Sequence, residues 1–116
     1  MKNFSRQAAQ GDVLIRRVDA MPDDVIPVPR DNNRVILAYG EVTGHAHAIA
    51  ERDVEMFVAP NRSPEDEMLN VRFMRVMAGA TIAHEEHGAI LPAPGLYEVR
   101  QQRIWTDAEE PLRVAD

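Results

Sequence analysis

Leu69-Asn70-Val71-Arg72-Phe73-Met74-Arg75-Val76-Met77 puts Leu69, Val71 and Phe73 on one side of an extended chain and Asn70, Arg72 and Met74 on the other. A period of two is the signature of a strand, because successive side chains leave a pleated backbone in opposite directions. Working outward, short β-type segments recur at Val13 to Val18 after the Gly11-Asp12 turn, Val35 to Tyr39, His45 to Glu51, Val54 to Ala59, Ala80 to Ala83, Ala89 to Leu91, Leu96 to Trp105 and Leu112 to Ala115. None of the chain carries a long helical period. Ser63-Pro64-Glu65-Asp66 predicts one helical turn, since serine suits the N-cap and proline the first helical position. About eight or nine closely spaced strands imply an all-β fold, a small single-domain β-barrel or sandwich.

At 116 residues the chain is long enough for one hydrophobic core. Residues 1–10 are read as a candidate flexible arm, and residues 19–33, with Pro22, Pro27 and Pro29, as a surface loop. Nineteen acidic against thirteen basic residues give a net charge of −6, which offers no attraction to nucleic acid or to an anionic membrane. The opening Met1-Lys2-Asn3-Phe4-Ser5-Arg6-Gln7 lacks the apolar run of a signal peptide, and no segment is long enough to cross a bilayer as a helix, so a cytoplasmic location is expected. Arg72, Arg75, Arg100 and Arg103 could form an anion patch, but surface pairing with the abundant acids accounts for them as well and is the favoured reading. Met56, Met68, Met74 and Met77 lie among Phe57, Leu69 and Phe73 and are expected to fill the core.

The chemistry concentrates in the four histidines, which fall in two pairs, His45-Ala46-His47 and His84-Glu85-Glu86-His87. With no cysteine in the chain, imidazole and carboxylate are the strong metal ligands left. On a strand His45, His47, Ile49 and Glu51 share a face, opposite Ala46, Ala48 and Ala50, whose small side chains suit an interior strand. Kept extended, His84 and His87 would point apart, whereas a turn before Gly88 lets them converge. The expected metal site therefore draws on His45, His47, His84, His87 and Glu51, with Glu85 and Glu86 as acid/base candidates. Its ion would be Fe, Zn, Mn, Ni or Cu, and protons should compete with it near the ordinary imidazole range of about 6.5. No elbow motif or glycine-rich phosphate loop supports other catalysis.

Gly11-Asp12-Val13-Leu14-Ile15, Gly40-Glu41-Val42-Thr43-Gly44-His45-Ala46-His47-Ala48-Ile49, His84-Glu85-Glu86-His87 and the stretch from Leu91 to Arg103 resemble a family of short bacterial β-barrel proteins of uncharacterised function. Gly40, His45-x-His47 and Glu51 also resemble the first metal motif of the cupins, which are double-stranded β-helix (jelly-roll) proteins. That likeness implies His45, His47 and Glu51 as ligands, with His84 or His87 supplying the fourth. Gly40 stands one residue closer to His45 than in that motif, and no Pro-x-Gly precedes the second pair. Two functions are expected: a small metal-binding protein able to act as a metal-dependent enzyme, or a non-catalytic binding or assembly module whose histidines are structural or lie at an oligomer interface. The expected partners are further copies of the chain and a small molecule, with neither nucleic acid nor membrane.

Overall fold

In the computed structural model, which describes residues 2–39, 45–85, 87–101, 104–105 and 111–112, the period-two segments become strands of an all-β fold. Those strands are β1 (Lys2–Phe4), β2 (Gln7–Gln10), β3 (Val13–Val18), β4 (Ile26–Pro27), β5 (Val35–Tyr39), β6 (Ala46–Ile49), β7 (Val54–Val58), β8 (Arg72–Val76), β9 (Ile90–Pro92), β10 (Gly95–Gln101), β11 (Ile104–Trp105) and β12 (Pro111–Leu112). The helix α1 (Pro64–Met68) is the single turn expected, with the Ser63 hydroxyl accepting from the Asp66 amide at 3.1 Å. Acidic Glu65, Asp66 and Glu67 sit at its positive end. Among the described residues no helix is long and apolar enough to cross a membrane.

One sheet has six strands in the order β2-β3-β10-β8-β7-β4 and ends on β2 and β4 without closing. A second layer is assembled from shorter pieces. β5 pairs with β6, Ala48 of β6 bridges to Ala83, Ile82 bridges to Ile90 of β9, and β9 runs parallel to β1. The apolar core contains residues of both layers, including Val13, Ile15, Val54, Met74, Val76, Tyr97 and Val99 of the large sheet with Leu37, Ile49 and Ile82 of the other. Burying each such side chain contributes roughly 1.5–3 kcal/mol. The arrangement is sandwich-like.

Several details depart from the sequence expectation. Residues 2–4 and 7–10 are strands and not a flexible arm, because Phe4 packs edge-on against Tyr97 and Gln10 is buried. The loop at 19–33 does run over the surface, but it lends β4 to the sheet edge, where a proline is tolerated. Met68 and Met77 are exposed; only Met56 and Met74 of that group are in the core. Asn70 takes a positive φ of 51° after α1, and the strand then turns Arg72, Met74 and Val76 inward. Arg72 is therefore buried, while Arg75 and Arg100 make ion pairs with Glu55 and Glu98. In β5, apolar on both sides, Val35, Leu37 and Ala38 are buried, Ile36 is partly exposed and Tyr39 is exposed. The turn at 40–44, Glu86, Arg103 and the end of the segment read as Leu112 to Ala115 lie outside the described residues.

Candidate metal centre

β6 is paired on both edges, which places its histidine side chain inside the fold. Ala38 of β5 lies opposite His47, and the Ala48 and Ala83 amides each donate to the other's carbonyl at 3.0 and 2.9 Å. Because Ala83 is tied to β6, the next residue, His84, emerges beside His47, and their ring centroids are 4.2 Å apart. The chain then bends instead of continuing extended. The His87 amide donates to His84 Nδ1 at 3.3 Å, and the two rings of this pair come within 4.8 Å. His87 also lies 6.0 Å from His47 with nearly parallel rings, and His45 lies 6.1 Å from His84. The rings of His47, His84 and His87 cluster, and His45 stands beside His84.

A third segment closes the site from below. Gln10, Gly11 and Asp12 form the turn between β2 and β3, with Gly11 at a φ of 59°. A Cβ on Gly11 would stand 2.8 Å from His87 Nε2 and 3.2 Å from His47 Cε1, so both the backbone conformation and the imidazoles above it require glycine. The Gln10 side chain is 2% exposed and fully engaged. Its amide nitrogen donates to the carbonyls of Ile82 and Gly88 at 3.0 and 2.9 Å. The amide oxygen must then face the 2.7 Å contact to His47 Nδ1, which makes Nδ1 the protonated nitrogen and leaves the Nε2 lone pair available. Asp12 Oδ1 is 3.8 Å from that Nε2, while its other oxygen accepts from Gln101 at 3.0 Å.

Of the predicted carboxylates, Glu85 comes to the site but in a fixed role. It accepts from the Ala46 amide at 2.9 Å, and that hydrogen bond holds its pKa below the usual carboxylate range. It is a standing anion beside His45 and His84, unsuited to donate a proton at neutral pH. Glu51 lies past the end of β6 and lines a different cavity with Phe4, Ala80 and Pro92, in which no histidine takes part. Gln10, Gly11 and Asp12 carry no sequence signal beyond a turn, since nothing local states what that turn will meet. Among the described residues no group of three or more His, Asp or Glu side chains stands in coordination geometry.

Burial, and after it the neighbouring His84, lower the His47 pKa from 6.5 to about 4. The unfolded chain protonates this ring near 6.5 and the native state only near 4, so stability falls as pH drops between those values and levels off below. The full loss is on the order of 3 kcal/mol. Urea midpoints of the metal-free protein at pH 7, 5.5 and 4.5 should show this decline, and His47→Gln should flatten it. An equal decline in both proteins would assign the acid sensitivity elsewhere.

No curated protein and no solved structure matches the chain. A family described as a domain of unknown function (DUF8820) matches residues 9–102. The match takes in the Gln10-Gly11-Asp12 turn and both histidine pairs, every segment that builds the site, and the protein belongs to this DUF8820 family.

Proposed function

We propose that the protein is a small metal-binding β domain in which His45, His47, His84 and His87 gather one divalent transition-metal ion, with Asp12 facing His47 Nε2. The observation that carries this reading is the Gln10 contact, which fixes His47 in the tautomer a metal needs at Nε2. Ring spacing agrees. With metal–nitrogen bonds of roughly 2.0–2.1 Å, two imidazoles on a tetrahedral ion have centroids about 5 Å apart. The four ring separations of 4.2, 4.8, 6.0 and 6.1 Å bracket that value, so metal binding would require the rings to turn their nitrogens to one point. His84 must also give up the long Nδ1 contact with the His87 amide, or bind through that nitrogen.

A cation here would join the β2–β3 turn, β6 and the hairpin from Ile82 to Ile90. Together with the burial of His47 this favours an ion that braces the fold over one held open for chemistry. Imidazole donors suit Zn, Cu, Ni and Fe. Untagged protein titrated calorimetrically with Zn, Ni and Cu salts should bind one ion per chain and gain thermal stability. Gln10→Ala should weaken binding roughly 10–100-fold while the chain stays folded. Failure of all these ions to bind stoichiometrically would overturn the reading.

A further inference from the structure

Arg72 is 8% exposed, yet among the described residues no carboxylate lies within ion-pair distance of it. Its guanidinium donates from Nε to the Asn70 carbonyl at 3.1 Å, from Nη1 to that of Ile36 at 3.1 Å and from Nη2 to that of Leu37. The Ile36 and Leu37 carbonyls lie where the β5–β6 register shifts between Ile36 and Ala38. Three hydrogen bonds to neutral acceptors satisfy part of the fork and none of its charge. An arginine has five N–H donors, so one on each Nη remains. Burial, and after it the Arg62 guanidinium, bring the pKa to about 10, and the group stays cationic at neutral pH.

This cation lines a cavity of about 340 Å³, within the size range of small-ligand sites. Val28, Val35, Ile36 and Met56 form its apolar wall, and the polar remainder includes Asn70 and Gln101, whose side-chain amides are engaged with Arg62 and Asp12. Among the described residues the one carboxylate of the lining, Asp31, is exposed and accepts the Tyr39 hydroxyl, so it does not neutralise Arg72. A buried charge without a counter-charge is costly. An anionic ligand with an apolar body would supply the missing charge and cover the walls together.

We propose that the cavity containing Arg72 binds a small organic carboxylate with a short apolar chain, held end-on by the two remaining guanidinium N–H groups. The cavity adjoins the imidazole cluster, since Gln101 of its lining also donates to Asp12, but its binding of a carboxylate needs no metal there.

Butyrate and its uncharged analogue butyramide, titrated into isotopically labelled full-length protein, provide the test. Butyrate should cause saturable shifts at the backbone amides of Ile36, Ala38 and Gln101, with affinity at least about tenfold above that of butyramide. Arg72→Met should abolish the difference, but it also strips donors from three carbonyls and can unfold the chain. Val28→Phe fills the cavity from its partly exposed wall without touching the guanidinium, and it should weaken butyrate at least about tenfold. Equal binding of acid and amide, no saturable shift with butyrate, or unchanged affinity in Val28→Phe would each overturn the proposal. Tighter binding of inorganic phosphate than of butyrate would overturn the assignment to an organic carboxylate.

Discussion

His47→Ala is expected to lower transition-metal affinity at least about 100-fold, more than the loss expected for any partner outside the coordination shell. In His47 the tautomer is set by Gln10, Nε2 faces Asp12, and the rings of His84 and His87 lie close by, 4.2 and 6.0 Å away. Calorimetry of the folded variant against wild type measures the loss, and far-ultraviolet dichroism checks that the strands survive. Retention of full affinity would move the ion away from this cluster. The depressed pKa adds a second signature. If His47 holds the ion, proton competition at its ring is expected near pH 4, further into acid than for an ordinary imidazole.

Tyr97→Ala should be the most destabilising single change outside the site, costing roughly 3–5 kcal/mol. The side chain is fully buried in β10, between Arg17 of β3 and Met74 of β8 in the ladder. Its ring meets Phe4 at 5.7 Å and carries the Arg17 guanidinium 5.2 Å above it, and its hydroxyl donates to the Ala93 carbonyl. That one residue joins the central sheet to β1 in the other layer. Against a typical total of about 5–15 kcal/mol, the loss is enough to unfold a substantial fraction of molecules on mild heating. Tyr97→Phe, which keeps the ring and removes the hydroxyl, should lose only about 1 kcal/mol. Urea unfolding of both variants separates ring from hydroxyl. Similar losses in the two would refute the packing account.

The strand segments were legible because alternation is local. Val13 to Val18, Val35 to Tyr39 and Val54 to Val58 carry it on their own residues, and they pair as strands in the structure. The capped turn at Ser63 was legible for the same reason, since its serine, proline and acids act on backbone groups within one turn. Position along the chain also exposed the histidine pairs, and the alanines around His47 correctly indicated an interior strand.

What the sequence by itself determined is therefore the β period, the absence of thiolate chemistry and the residues able to ligate. Tertiary structure alone decided which of them meet. Ala48 hydrogen-bonds a residue thirty-five positions later, and that bridge, not any local motif, sets His84 against His47. Gln10 reaches Ile82 and Gly88 across more than seventy residues to orient one imidazole. Glu51, which shares the strand face with His47 if the alternation is extended, leaves the site because β6 ends at Ile49. Arg72 reads as one more surface cation until the turn at Asn70 sets the strand's inward face. The physical reason is common to all four. Period and capping act between neighbours along the chain, whereas a site is made by hydrogen bonds and packing between segments whose separation in sequence carries no record of their contact.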